Sequence, residues 1–253
     1  MSTIAIVCAM QEELRALLPT LHEPRRLELG GRSFHAGLMH GRPVVLARSG
    51  IGKVAAATTT ALLIQAFEAE QLVFTGVAGG LSAGVQVGDV VVARELLQHD
   101  MDASPLFPRF EVPLTGRSRF AADAALSDAL RTAALHCLNH AVEYIGEAHL
   151  TDFGIDSPLV HEGLVASGDR FVATAAESVT LREALPDALA VEMEGAAFAQ
   201  VCADFGRPFG VLRCISDRAD DSAHADFNRF IAEVAAIYTR EIVGAWLRAD
   251  DLA

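Results

Sequence analysis

A single-domain, three-layer α/β sandwich around a mixed, largely parallel central sheet is the fold this sequence predicts. Three observations carry it. Short apolar runs alternate along the chain with segments of helical periodicity, the pattern of strands joined by helical crossovers. Several runs, among them "IAIVCA" and "FGVLRCI", are nearly continuous rather than alternating, as in strands covered on both faces. Finally, 253 residues with 51% hydrophobic and 21% charged side chains can bury a large core, and no linker, internal repeat or low-complexity tract divides them. One domain over 1–253 is therefore expected.

The elements follow in order. Residues 4–9 read as a buried strand, followed by a helix over 11–18 that stops at Pro19. Residues 33–38 and 43–47, separated by "MHGR", read as an antiparallel pair. An Ala-rich helix spans 52–68, a strand 72–75 runs into "GVAGG", and 89–93 (DVVVA) is another strand. Residues 119–137 form an amphipathic helix and 163–166 a strand. Thr174 caps a helix over 174–185. The strand 189–192 feeds a helix at 194–205, 209–215 is a central strand, and 227–247 closes the chain as a helix. The hairpin-like pair and the irregular 99–118 segment make the sheet mixed. The loop "DASPLFPRFEVPLTG" (102–116) is the longest irregular element, and loops of that length commonly serve as lids, binding loops or interface arms.

Composition narrows the function. The formal charge of −13, with no Lys/Arg run longer than a pair, argues against nucleic acid and against anionic membranes as partners. The first residues lack a basic leader and no apolar run reaches the roughly 20 residues of a membrane helix, so a cytoplasmic chain is expected. Cys8, Cys137, Cys202 and Cys214 share no CxxC spacing and read as reduced and buried. His136 and His140 lack the glutamate of a zinc motif and "QHDMD" (98–102) lacks a third ligand, so no metal and no cofactor is expected.

The chemistry lies at strand ends, where ligands of α/β sheets gather. Met10, Glu12 and Glu13 follow the first strand; "RSGIGK" (48–53), "GVAGG", "SGDRF" (167–171), "EMEG" (192–195) and "SD" (216–217) follow others. "SGIGK" lacks the phosphate-loop spacing. "GVAGG" serves either an anion or a crowded strand crossing, and Val77 stands where a hydroxyl would help phosphate. Glu192 and Glu194 stand within the apolar run "AVEMEGAAFAQVC" (190–202), where unpaired carboxylates are costly. They serve either chemistry or a purely structural buried salt bridge. Carboxylates, glycines and isolated aromatics suit acid–base work on a neutral, partly apolar small molecule.

The set "AMQEE", "SGIGKVAAA", "TGVAGGL", "VGDVVVA", "SGDRFV", "VEMEGAA" and "CISDRAD" resembles the purine nucleoside phosphorylase superfamily. Within it, the chain looks most like the 5′-methylthioadenosine/S-adenosylhomocysteine nucleosidases, from Ile4 to about Phe230. The resemblance implies hydrolysis of the N-glycosidic bond between adenine and a 5′-thioribose. It implies Asp217 as the acid that protonates adenine N7, with Ser216 holding its carboxyl, and Glu13 as the residue that activates water, with Glu12 the alternative. Glu194 would grip the ribose hydroxyls beneath the developing sugar cation, Met193 would pack on the sugar, and Glu192 would support the site or pair with Arg213. Phe171 would stack on adenine, Val172 would read its edge through the backbone, and Val77 and Ala78 would line the pocket. Met10, Ile51 and Phe227, with Phe107 and Pro113 from a neighbouring copy, would line the 5′-alkylthio slot, which implies a homodimer. The segment 147–163 is longer than the family pattern, which bears on the 5′ substituent. A phosphorolytic relative, an aminodeoxyfutalosine hydrolase and a non-catalytic nucleoside binder remain as alternatives.

Overall fold

The computed structural model describes residues 2–219 and 227–249, so Asp220, the last residue of "CISDRAD", lies outside the described residues. Among the described residues ten strands form one sheet: β1 Thr3–Cys8, β2 His22–Leu29, β3 Arg32–Met39, β4 Arg42–Arg48, β5 Ala69–Gly80, β6 Val90–Gln98, β7 Arg119–Ala121, β8 Val160–Ser167, β9 Ala188–Glu192 and β10 Phe209–Asp217. Parallel pairings build its centre, β4–β1–β5–β10 and β6–β8–β9. Antiparallel pairings make the β2–β3–β4 flank and the short contacts of β10 with β6, β6 with β7 and β5 with β9. The sheet is mixed, as its sequence pattern predicts.

Strand β5 organises this topology. Its early residues pair with β1 on one edge and β10 on the other, while Gly79 and Gly80 turn to pair with β9. Strands β10, β6, β8, β9 and β5 thereby close into a ring. The glycines of "GVAGG" permit the crossing: a Cβ on Gly79 would stand 2.9 Å from both Ala219 Cβ and Asp217 Oδ1, closer than packed atoms come. Of the two readings of this stretch, the crowded crossing is the one the packing explains.

Strand alternation sorts the core. Ile4, Ile6 and Cys8 face a cluster with α1 (Gln11–Leu17), α3 (Ala124–Asn139) and the closing helix α9 (Ala236–Ala249), whose Trp246 is fully buried. Ala5 and Val7 face the opposite cluster, with Leu63 of α2 (Lys53–Ala66) and Phe198 of α7 (Gly195–Asp204). The sheet is thus covered on both faces. All four cysteines are buried and unbridged.

Three elements depart from the sequence reading. Strand β2 is exposed at every position and joins only β3, so it carries no burial pattern to read. The segment expected to be helical from residue 119 begins as β7, because Phe120 is buried against the α7 side of the sheet. The helix starts at Ala124, where Asp123 accepts a hydrogen bond from the Leu126 amide at 2.8 Å. The closing helix is interrupted by a π-helical turn, Ile231–Ala235, after α8 (Phe227–Phe230). Short helices α4 (Ala141–Ile145) and α5 (Glu147–Asp152) occupy the stretch before β8, and α6 (Ala175–Ala184) begins at the Thr174 cap.

Candidate active site

The ends of β1, β5, β9 and β10 converge on a cavity of about 140 Å³. Met10, Ile51, Val77, Ala78, Phe171, Val172, Met193 and Phe227 give it a largely apolar wall; Glu192, Glu194, Arg213, Ser216 and Asp217 supply its polar groups. The rings of Phe171 and Phe227 meet edge to face, centroids 6.3 Å apart. Among the sequence-predicted residues, Glu13, its alternative Glu12, Phe107 and Pro113 do not line this cavity; the last two lie in the 102–116 loop, whose Leu106 and Leu114 are 84% and 90% exposed.

Glu13 sits at the third position of α1 and is fully buried. Its Oε2 accepts the Met10 amide at 3.0 Å, while Oε1 has no hydrogen-bond partner among the described residues. A Cβ placed on Gly76, a cavity-wall residue, would come within 3.4 Å of that Oε1, so the orphaned oxygen lies directly behind the glycine. Burial pushes the Glu13 carboxyl up to about 7, opposed by the Met10 amide and the Arg213 charge. Glu12, the alternative, is only half-buried.

The two glutamates of the apolar run have separate tasks. Glu192 is saturated: Oε2 accepts Arg213 Nη2 at 2.6 Å and Nε at 3.2 Å, the amides of Glu194 and Gly195 donate to it, and the Ser167 hydroxyl bonds to Oε1. Arg213, 1% exposed, stacks its guanidinium 4.4 Å above the Phe74 ring. The pairing with Arg213 is therefore the one the structure contains. Removing one partner of a buried ion pair leaves the other charge stranded. Arg213→Met is expected to destabilise the protein by about 3–5 kcal/mol, read as a lower urea midpoint at an unchanged slope.

Glu194 stays available to the cavity. Its Oε1 accepts the Gly52 amide at 2.8 Å, which ties it to the 49–53 turn. Burial, then the neighbouring Glu192 charge, pushes its carboxyl up to about 7. Asp217, at the end of β10, receives the Ser216 hydroxyl on Oδ2 at 2.8 Å and the Ala219 amide on Oδ1 at 2.7 Å.

A network not foreseen from the sequence braces these loops. Asp169 Oδ1 accepts the Lys53 amide at 2.8 Å, and Asp100 accepts the Asp169 amide at 2.9 Å and Lys53 Nζ at 2.6 Å. It fastens the turn that holds Glu194 to the loop that carries Phe171. The only local signal was the acid in "SGDRF"; its partners lie 116 and 69 residues away.

Carboxylates at the rim of an apolar slot, with the one buried guanidinium in its wall already neutralised, define a site for acid–base chemistry on an uncharged small molecule. The sequence model of the phosphorylase superfamily matches residues 3–247. A 5′-methylthioadenosine/S-adenosylhomocysteine nucleosidase of Anoxybacillus flavithermus is 36% identical over 240 residues, 95% of each chain. The solved structure of the Neisseria meningitidis nucleosidase of the same name, in complex with methylthio-immucillin-A, superposes with a TM-score of 0.85 at 35% identity, covering 98% of this chain and 100% of that one. A futalosine hydrolase of Helicobacter pylori superposes with a TM-score of 0.84 at 32% identity, covering 98% of both chains. The chain belongs to the phosphorylase superfamily and, within it, to the 5′-methylthioadenosine/S-adenosylhomocysteine nucleosidases.

Proposed function

We propose that this chain hydrolyses the N-glycosidic bond of 5′-methylthioadenosine or S-adenosylhomocysteine, releasing adenine and the 5′-thioribose. Breaking that bond passes through an oxocarbenium-like sugar and needs a protonated leaving group, a stabilised cation and an activated water. Asp217 delivers a proton to adenine N7 while Ser216 fixes its carboxyl. Glu194 binds the ribose hydroxyls and sets its negative charge beneath the sugar as positive charge develops. Glu13 takes the proton from the attacking water. Met193 packs on the sugar, Phe171 stacks on the base, and Val172 reads the purine edge through its backbone. Met10, Ile51 and Phe227 shape the alkylthio slot.

The observation that carries this reading is the buried Oε1 of Glu13, without a hydrogen-bond partner among the described residues and set behind Gly76, which lines the same cavity as Glu194 and Asp217. An unmet acceptor in that position suits a bound water. Hydrolysis is favoured over phosphorolysis because Arg213 is committed to Glu192, and Arg170 at the mouth pairs with Glu177, which leaves a cavity rich in carboxylates for an anion to enter.

The same reading includes a homodimer. Ile51, Val54, Leu106 and Leu114 are 60%, 77%, 84% and 90% exposed, more apolar surface than these positions need if they face water; a second copy covering them would bring Phe107 and Pro113 to the slot. The chain is read as one domain and as a cytoplasmic enzyme; among the described residues no helix is long and apolar enough to cross a membrane.

The test is adenine release from 5′-methylthioadenosine by purified protein, with and without phosphate. Full activity in phosphate-free buffer is expected. Strict phosphate dependence would make the chain a phosphorylase, and no adenine under either condition would remove the proposed substrate.

A further inference from the structure

Helix α2 begins without a cap of its own. Gly52, the residue before it, has no side chain to offer, and a helix start leaves its first amides without intrahelical partners. Two distant carboxylates take them instead. Glu194 Oε1 accepts the Gly52 amide and Asp169 Oδ1 the Lys53 amide, each at 2.8 Å. Glu194 is the group read above as holding the sugar, and Asp169 stands two residues before Phe171. Adjacent amides of one turn therefore receive both of the loops that would grip the nucleoside, and the helix dipole favours their charge there.

The backbone of that turn is built for the contact. Gly52 has a φ of +97°, and a Cβ on it would stand 3.1 Å from Asp169 Oδ1, so glycine lets turn and loop approach. Ile51, which lines the first cavity, lies between Gly52 and Gly50, itself at φ +79°. A residue between two such glycines is free to swing unless something beyond the turn holds it.

Lys53 is what holds it. Its Nζ donates to Asp100 Oδ1 at 2.6 Å and to Gln98 Oε1 at 3.2 Å. Asp100 Oδ2 accepts the Asp169 amide at 2.9 Å, and Gln98 Nε2 donates to Gln200 Oε1 at 2.7 Å. Gln200 belongs to α7, the helix that Glu194 opens, so the chain of bonds closes on itself. The Lys53 and Asp100 side chains are 16% and 30% exposed, a pair better shielded than ordinary surface ion pairs. Neither lines the cavity.

We propose that Lys53 is a positioning residue: through Asp100 and Asp169 it sets the distance from the turn carrying Ile51 to the loop carrying Phe171, and discrimination at the 5′ end of the substrate depends on it. The inference rests on the reaction proposed above. As the glycosidic bond stretches, sugar and base are gripped by different loops, and a misplacement of about 1 Å costs a rate factor of about a hundred. Ile51 faces the 5′ substituent, so loosening the turn costs most for a substrate that uses that contact.

Lys53→Met keeps the apolar stem and removes the amine. Its kcat/KM for 5′-methylthioadenosine is expected to fall by about ten- to a hundredfold, and that for adenosine, which has no alkylthio group, by severalfold less. A partly unfolded population lowers both values equally, so the altered ratio separates positioning from loss of fold. Asp100→Asn keeps an acceptor for the Asp169 amide but loses the charge opposite Lys53. It is expected to shift the ratio the same way to a smaller degree, and it covers a Lys53→Met protein that fails to fold. Equal losses for the two nucleosides, or values close to wild type for both, overturn the proposal. Failure of the reaction itself shows separately, as a wild type that releases no adenine from either nucleoside. Hydrogen exchange then decides: faster exchange of the 168–171 amides in Lys53→Met upholds the coupling of turn to loop, and unchanged exchange overturns it.

Discussion

Asp217→Asn lowers kcat by about a thousandfold, the scale of a lost general acid, and leaves the protein folded with its substrate affinity largely retained. The geometry explains both halves. Asparagine keeps a carbonyl oxygen to accept the Ala219 amide now bound at 2.7 Å, and the Ser216 hydroxyl can rotate to accept from the new amide nitrogen where it now donates to Oδ2. The side chain therefore stays at the end of β10. What it loses is a transferable proton, and adenine leaves as a poor anion unless N7 is protonated. Single-turnover assays for adenine, with binding of 5′-methylthioadenosine measured separately, check the two halves. Turnover within tenfold of wild type would remove Asp217 from the acid role.

Glu13→Gln produces the opposite pairing of effects: activity falls by about two to four orders of magnitude and stability at neutral pH rises. Burial holds the Glu13 carboxyl near 7 rather than the ordinary 4.5. The folded protein thus binds more protons than the unfolded chain between those values, and stability declines as pH rises through that window. Above pH 7 the ionised Glu13 costs about 3 kcal/mol relative to an unshifted carboxyl. Glutamine can still accept the Met10 amide and carries no charge, so the variant's Tm should exceed wild type at pH 8 and the difference should vanish near pH 4. Catalysis has the reverse requirement, because only the carboxylate can take a proton from water. The wild-type kcat/KM is expected to fall as pH drops through 7, more steeply than tenfold per unit because Glu194 also titrates near 7. An acid limb lying wholly below pH 5 would remove Glu13 as the base.

How much of this was readable beforehand depends on what each segment packs against. Residues 4–8 and 209–215 are buried on both faces, so their side chains, the ion-paired Arg213 apart, had to be apolar and the strands stood out. Strand β2 has eight exposed residues, "HEPRRLEL", and is held by main-chain pairing with β3, which leaves no compositional trace. The start of helix α3 was legible in principle from Asp123, an acid placed to cap Leu126; the amphipathic run that begins just before it concealed the short β7. The same logic divides the site. Acids within apolar runs, such as Glu192 and Glu194, are conspicuous because burial there demands a reason. The Lys53–Asp100–Asp169 brace joins ordinary polar residues of three loops, and only tertiary structure brings them together.

The interior thiols supply the molecule with a built-in clock. Cys8, Cys137, Cys202 and Cys214 are each at most 2% exposed, and burial raises the pKa of every one of them, so none presents a nucleophile to a reagent in bulk water. Cys8 and Cys214 lie on β1 and β10, the strands on either side of β5, Cys202 on α7 and Cys137 on α3. Labelling of each by a maleimide therefore times the opening of its own layer, and a bound nucleoside that closes the sheet's upper rim should slow Cys8 and Cys214 before it slows Cys137.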